Sequence, residues 1–218
     1  TTGRPKGVLL THWNYITDTA MGAEVVPLNP GDRIMMILPL FHVNAQVATT
    51  TVPMMIGATV VLLDHFNPAN FWTAVAKYQP VTFSAVPTIL QILLNAPGAD
   101  TADLSSLRYV ICGAAPLPVE LFHQFEAKFN LHIMEGYGLT EGTCVSSINP
   151  YYGVRKIGSI GLPLRGQEMV IMDDAGNLLP DGQYGEIVIR GPNVMKGYYK
   201  NPEATKETIM PDGWLRTG

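Results

Sequence analysis

Residues 109–134 read YVICGAAPLPVELFHQFEAKFNLHIM. An apolar run at Tyr109–Cys112 is followed by a helical pattern at Val119–Phe129 and by a second apolar run at residues 131–134. Short apolar runs bounded by turn residues predict buried strands, whereas the longer, periodic segment predicts a helix. Pro118 fits the start of that helix, because a missing N–H costs nothing there. The stretch therefore predicts strand, helix and strand in succession.

The same alternation extends toward the N-terminus. Apolar runs predict strands at residues 34–38, 58–63 and 81–86, and helical patterns predict helices at residues 71–78 and 88–94. Such alternation predicts an α/β fold with a doubly wound, mostly parallel sheet. Sites in sheets of this kind lie at the carboxyl ends of the strands.

The pattern changes near residue 150. Glu168–Met172 and Glu186–Arg190 are separated by the turn residues 173–177, which predicts antiparallel strands. Asn201 with Pro202 and Glu203 predicts the start of a short helix that ends near Ile209. We therefore predict an α/β subdomain over residues 1–149 and a smaller, β-rich, barrel-like subdomain over residues 150–218.

Composition and charge limit the possible functions. The chain has 218 residues and a net charge of −4, with no basic cluster that would indicate nucleic-acid binding. The sequence contains no run of 18 apolar residues and therefore predicts no transmembrane segment. Cys112 and Cys144 lack paired ligand spacing and predict buried thiols in a reducing compartment, which favours the cytoplasm. Only 15% of residues are charged, against about 25% in a typical domain, so we expect further parts of a longer chain to cover some faces. The sequence does not indicate an oligomeric state.

The first seven residues, Thr-Thr-Gly-Arg-Pro-Lys-Gly, form a glycine-rich loop. Two hydroxyls, free backbone N–H groups and the charge of Lys6 suit a phosphate group. The loop differs from the nucleotide-binding P-loop, because Gly7 and not Ser or Thr follows Lys6. A P-loop-type phosphotransferase is therefore a weaker alternative, and an ordinary surface turn is another.

A second polar turn follows the predicted strand at residues 131–134. Here Gly136 and Gly138 flank Tyr137, and Thr140 and Glu141 come directly after. The tyrosine ring could lie on a base, the threonine could donate to a phosphate oxygen, and the glutamate could hold Mg²⁺. The alternative is a glycine-rich strand end with a solvated glutamate.

Together with three later blocks, at residues 185–191, 194–199 and 214–218, these two turns closely resemble the adenylate-forming superfamily. That superfamily contains acyl-CoA synthetases, aryl-CoA ligases, luciferases and peptide-synthetase adenylation domains. The resemblance implies an AMP-forming acid–thiol ligase that uses ATP, Mg²⁺ and coenzyme A. It also implies that the chain is part of a longer enzyme with a C-terminal lid domain. We accordingly expect these residues alone to show little or no ATP–pyrophosphate exchange.

The resemblance assigns roles to individual residues. It implies that Thr1, Thr2, Gly3 and Lys6 form a phosphate-binding loop and that Gly113, Ala114, Ala115 and Pro116 follow the adenine edge. It implies that Tyr137, flanked by Gly136 and Gly138, stacks on the adenine and that Thr140 contacts the α-phosphate. It also implies that Glu141 is a magnesium ligand and that His42 gates the carboxylate site.

The identity of the acid is the least specified feature. The apolar residues 43–55, the strand end at Ala85 and Val86, and the small Gly136 and Gly138 are expected to leave room for a carbon chain or ring. Residues 135–141 and 195–198 resemble fatty acyl-CoA synthetases, which implies a fatty acid, with an aryl-CoA ligase or a luciferase-like enzyme as an alternative. A noncatalytic module that binds acyl groups or nucleotide is a further alternative.

Overall fold

A computed structural model describes residues 5–218 of the chain. Its largest feature is a seven-stranded sheet with the order β3-β2-β4-β5-β6-β7-β8. The strands are β2 (Arg33–Met36), β3 (Thr59–Leu62), β4 (Thr82–Ala85), β5 (Tyr109–Cys112), β6 (His132–Tyr137), β7 (Ser147–Ile148) and β8 (Leu162–Pro163). The first five in this sheet run parallel, and β7 and β8 are antiparallel to their neighbours.

Helices cover both faces of this sheet. Alternate residues of β5 point to opposite sides: Val110 and Cys112 pack in one core cluster, whereas Tyr109 and Ile111 pack in another. The first cluster is closed by α4 (Phe71–Tyr78), α5 (Pro87–Leu93) and α6 (Val119–Phe129), and the second contains Met21 of α1 (His12–Val25). The predicted doubly wound α/β fold is confirmed.

The helices α4 and α6 have the predicted bounds, and their ends have clear local causes. Each stops at a residue with a left-handed backbone, Gln79 and Asn130 respectively, which closes a helix C-terminus. Pro87 is the first residue of α5, as its missing N–H allows. Pro118 is the N-cap of α6, so it precedes the first residue of its helix by one position.

The sequence patterns did not predict α1 or the helical segment that follows β2. That segment consists of α2 (Val43–Gln46), one π-helical turn (Val47–Thr51) and α3 (Val52–Ile56). Thr11 is the N-cap of α1: its hydroxyl accepts from the Asn14 N–H, while the Asn14 side chain accepts from the Thr11 N–H. Of the helices described here, none is both long and apolar enough to cross a membrane.

A second sheet of four antiparallel strands has the order β10-β9-β11-β13. Its strands are β9 (Glu168–Met172), β10 (Leu178–Leu179), β11 (Glu186–Arg190) and β13 (Leu215–Arg216). β9 and β11 have the predicted bounds and pair antiparallel. The turn at residues 173–177, however, leads from β9 into β10, which was not predicted.

Two pairings connect segments that are distant in sequence. β1 (Val8–Leu9) pairs with β12 (Gly197–Tyr198), and β7 pairs with β8 across the predicted boundary between residues 149 and 150. That boundary stays a prediction. Helix α7 (Pro202–Thr208) follows β12 and begins as predicted, with the Asn201 side chain accepting from the Ala204 N–H.

Candidate active site

A cavity of about 170 Å³ opens where β5 and β6 end. The carboxyl ends of parallel strands meet at one edge of a sheet, so the turns after them face the same space. Seven residues that the sequence singled out line this cavity: His42, Gly113, Ala114, Gly136, Tyr137, Gly138 and Thr140. Ala115 and Pro116 are exposed and do not line it. Thr1, Thr2 and Gly3 lie outside the described residues.

The glycines at this edge are explained by backbone packing. A Cβ on Gly113 would lie 2.8 Å from the Gly136 carbonyl oxygen, and one on Gly138 would overlap the Cys144 carbonyl oxygen. A Cβ on Gly136 would face the Ser147 carbonyl oxygen at 3.1 Å. Close backbone packing therefore accounts for both glycines, and their expected role in leaving room for an acyl group stays a prediction.

Lys6 and Glu141 approach the same side chain, Tyr198. The Lys6 ammonium lies 4.4 Å from the centroid of the Tyr198 ring, and the Tyr198 hydroxyl donates to Glu141 Oε1 at 2.7 Å. Burial of the phenol, with a further contribution from Glu141, raises the pKa of Tyr198 to about 12, so the hydroxyl stays protonated. Lys6 and Glu141 thus lie on one side of the molecule.

Backbone hydrogen bonds hold these segments together. The Met195 N–H donates to the Glu141 carbonyl at 2.8 Å, and the Lys196 N–H donates to the Leu9 carbonyl at 2.9 Å. The Tyr199 N–H donates to the Gly7 carbonyl at 2.7 Å. The segment around β12 is therefore bonded both to the loop that carries Lys6 and to the turn that carries Glu141.

Asn193 supports the same turn from inside the protein. Its buried side-chain NH₂ donates to the Gly142 carbonyl at 3.1 Å and to Gln167 Oε1 at 3.0 Å. The buried Thr143 hydroxyl donates to the Asn193 carbonyl at 2.6 Å. No local sequence pattern indicates either residue, because the bonds of Asn193 to Thr143 and Gly142 join positions about 50 residues apart.

His42 combines a local structural role with a place in the cavity wall. It is the N-cap of α2, and its Nδ1 accepts from the Asn44 N–H at 3.1 Å. Because Nδ1 accepts, the neutral ring carries its proton on Nε2. The ring can therefore offer one N–H donor to an anion in the cavity.

Asp18 of α1 lies behind Val145 of the cavity wall and was not predicted. It is fully buried; Oδ2 accepts from the Val145 N–H at 3.2 Å, and Oδ1 has no partner among the described residues. Burial raises the pKa of Asp18 to about 7, and only the Val145 bond opposes this. Val145 lines the cavity, so this carboxyl supports its wall from outside.

Glu141 has a donor set that fits Mg²⁺. Within residues 5–218 no three His, Cys, Asp or Glu side chains cluster as a metal site. Mg²⁺ is commonly held by one or two carboxylates together with substrate phosphates, and so needs no such cluster. Tyr198 binds Oε1 of Glu141 and leaves Oε2 as the oxygen that could hold the ion.

The sequence matches the family described as AMP-binding enzyme over residues 1–199. The chain belongs to that family. The chain is 41% identical over its whole length to a sulfoacetate–CoA ligase from Cupriavidus necator and covers 42% of it. It is 38% identical to a long-chain-fatty-acid–CoA ligase from Bacillus subtilis, again over its whole length, and covers 39% of that protein.

Solved structures agree with this assignment. The chain superposes along its whole length on ATP-bound MatB from Rhodopseudomonas palustris, with a TM-score of 0.93 and 31% identity, and covers 43% of that protein. The chain thus spans about two fifths of the length of the curated relatives described above. The named acids of these relatives differ, from sulfoacetate to long-chain fatty acids.

Proposed function

We propose that this chain carries the nucleotide- and acid-binding part of an AMP-forming acid–thiol ligase. The observation that carries the proposal is the convergence of Lys6 and Glu141 on Tyr198, in a chain that belongs to the AMP-binding enzyme family. The substrates are a carboxylic acid, ATP and coenzyme A. The product is the acyl thioester, formed with AMP and pyrophosphate.

The residues around the cavity have separate roles in this proposal. The Tyr137 ring stacks on the adenine, and the turn of Gly113, Ala114, Ala115 and Pro116 follows the adenine edge. Thr140 donates to the α-phosphate. Lys6, together with Thr1, Thr2 and Gly3, binds the β- and γ-phosphates.

The first chemical step joins two anions. An oxygen of the carboxylate attacks the α-phosphorus, the bond to the bridging oxygen breaks, and pyrophosphate leaves with that electron pair. The Lys6 ammonium lowers the repulsion and offsets charge on the leaving group. Glu141 would hold Mg²⁺, which when bound would supply further positive charge to the phosphates. His42 can orient the carboxylate through its Nε2–H.

The second step transfers the acyl group. The coenzyme A sulfur, having lost its proton to solvent, attacks the acyl carbonyl carbon. The carbon–oxygen bond to the phosphate breaks, and AMP leaves with that electron pair. The acyl group is thereby moved from a mixed anhydride to a thioester, with no change in oxidation state.

The cavity wall supports an acid with an uncharged, apolar tail. Val43, Ala48, Val145 and Ile148 line it, and no Lys or Arg is found among the described lining residues. A second anion, such as a sulfonate, would need a cation to offset its desolvation. We therefore propose a fatty acid, with an aromatic acid as the alternative.

The free cysteines support a cytoplasmic location for the enzyme. Cys112 and Cys144 are both buried and unpaired. Free buried thiols are common in reducing compartments, where disulfides are rare.

Hydroxylamine trapping of activated acids by the protein at its full natural length tests the proposal. We expect hydroxamate from hexanoate or a longer fatty acid to exceed that from sulfoacetate. Glu141→Gln should lower the rate about 10²- to 10³-fold, the cost typical of one preorganised electrostatic contact. Glu207→Gln, on the exposed side of α7, is the matched control.

Two outcomes would contradict the proposal. If Glu141→Gln leaves hydroxamate formation intact, Glu141 is not part of the site. Acyl binding with no nucleotide binding in calorimetry would instead indicate a noncatalytic acyl-binding module. Sulfoacetate used as well as hexanoate would overturn the substrate class alone.

A further inference from the structure

The Tyr198 side chain contacts both Lys6 and Glu141. Its ring faces the Lys6 ammonium at 4.4 Å, and its hydroxyl donates to Glu141 Oε1 at 2.7 Å. The residue is buried, although Lys6 is exposed and Glu141 is half-buried. A buried aromatic residue thus lies between the two charged groups of the site.

We propose that Tyr198 is a positioning residue for the adenylation reaction, an inference that rests on the proposed function. Its hydroxyl fixes one oxygen of the Glu141 carboxylate, so that the other faces the metal. Its ring holds the Lys6 ammonium near the position of the phosphates. The two actions belong to different parts of one side chain and can be separated by substitution.

The backbone around Tyr198 is well suited to positioning. The residue pairs with Val8 between β1 and β12, and its N–H donates to the Thr205 hydroxyl at 2.9 Å. The Met195 N–H is bonded to the Glu141 carbonyl. Because strand pairing fixes the Tyr198 backbone and a bond holds the turn of Glu141, the hydroxyl meets the carboxylate in a defined geometry.

The hydroxyl should act mainly on metal binding. A carboxylate that loses its outer hydrogen-bond partner can rotate, and its ligand oxygen is no longer fixed. Removing such outer partners typically lowers metal affinity or activity about 10- to 100-fold. The ring should act mainly on the cation, since an ammonium over an aromatic face is attracted by its electrons.

The test measures ATP binding by the protein at its full natural length while Mg²⁺ is titrated. Tyr198→Phe keeps the ring and removes the hydroxyl, so the Mg²⁺ concentration for half-maximal binding should rise about 10-fold or more. Binding of ATP in excess EDTA should stay unchanged. Tyr198→Leu removes the ring as well and should also weaken this metal-free binding severalfold. Tyr184→Phe, at a 99% exposed residue, is the matched control.

A double-mutant cycle separates positioning from general damage. In the Glu141→Gln background, Tyr198→Phe should add no further change in the Mg²⁺ requirement, because its only route to the metal is already gone. If Tyr198→Phe impaired folding instead, its effect would appear in both backgrounds and the melting temperature would fall. Additive effects would therefore contradict the inference.

The remaining outcomes distinguish this inference from the proposed function. If the wild type binds MgATP and Glu141→Gln abolishes the Mg²⁺ dependence, but Tyr198→Phe matches the wild type, the hydroxyl has no positioning role and the function stands. If Tyr198→Leu binds metal-free ATP as tightly as Tyr198→Phe, the Tyr198 ring has no positioning role. If the wild type binds no ATP, the proposed function and this inference both fail.

Discussion

Replacing Asp18 with Asn should make the protein more stable at neutral pH. The Asp18 carboxyl is fully buried, accepts one bond from Val145 and has one oxygen without a partner in the described chain. Its pKa is raised from 3.8 to about 7 because burial disfavours the charged form. An asparagine has nearly the same shape and never ionises, so it avoids that cost.

The magnitude follows from the two pKa values. The folded state binds the Asp18 proton more tightly than the unfolded state, so this proton stabilises the fold below pH 3.8. The stabilisation is lost as pH rises through about 7. Each pH unit between about 5 and 7 removes about 1.4 kcal/mol, which amounts to about 3 kcal/mol. Any cost of the buried amide in Asp18→Asn is independent of pH and cancels in a comparison between pH values.

Urea denaturation at pH 5 and pH 8 measures this effect. The free energy of unfolding of Asp18→Asn, relative to wild type, should increase by about 3 kcal/mol between the two pH values. Asp174→Asn, the same substitution at an exposed turn residue, is the matched control. A difference between Asp18→Asn and wild type that does not change with pH would refute the reasoning, because it would mean that Asp18 is already ionised at pH 5.

Three other perturbations have expected outcomes. Gly138→Ala should destabilise the fold by about 3 kcal/mol or more in thermal melting, since its Cβ would overlap the Cys144 carbonyl; Gly182→Ala, with nothing within 4 Å of the new Cβ, should cost less. Cys112 and Cys144 should resist iodoacetamide at pH 8 until urea unfolds the protein, because burial raises the pKa of both thiols, that of Cys112 to about 12. Asn193→Ala should cost about 2 kcal/mol in urea denaturation, since it leaves the Gly142 carbonyl without its side-chain donor.

The parts of the fold that the sequence predicted well are those with a strong local pattern. α4, α6, β5, β9 and β11 have the predicted bounds, because periodicity and a closing Gln, Asn or turn residue act within the segment itself. The parallel order of the central strands also follows from the alternation of strands and helices.

Helix α1 was missed because its buried face is partly polar. Asn14, Asp18 and Thr19 are buried there, so the apolar periodicity that predicts a helix is weak. The side chain of Asn14 donates to the Pro192 and Val194 carbonyls, a tertiary role that no local pattern indicates. The signal that was available is the capping pair of Thr11 and Asn14.

The candidate site could be proposed in outline from the sequence because its residues come in short, recognisable blocks. What the blocks do not contain is the set of contacts between them. Tyr198 bonds to Glu141 across 57 residues, and Asp18 bonds to Val145 across 127. A tyrosine in a glycine-rich block and an aspartate in a helix look locally like surface residues, and only the fold shows that both are buried.

The geometry of Tyr198 also explains why the loop of Lys6 and the turn of Glu141 need the β1–β12 pairing. Lys6 stands two residues before β1, and Tyr198 ends β12, so a pair of two-residue strands brings the ammonium to the ring. So short a pairing contributes few hydrogen bonds of its own and depends on the buried Tyr198, Met195 and Leu215 beneath it. The positions of the two charged groups are therefore coupled to the packing of this small core, and a substitution there should alter nucleotide binding without contacting the nucleotide.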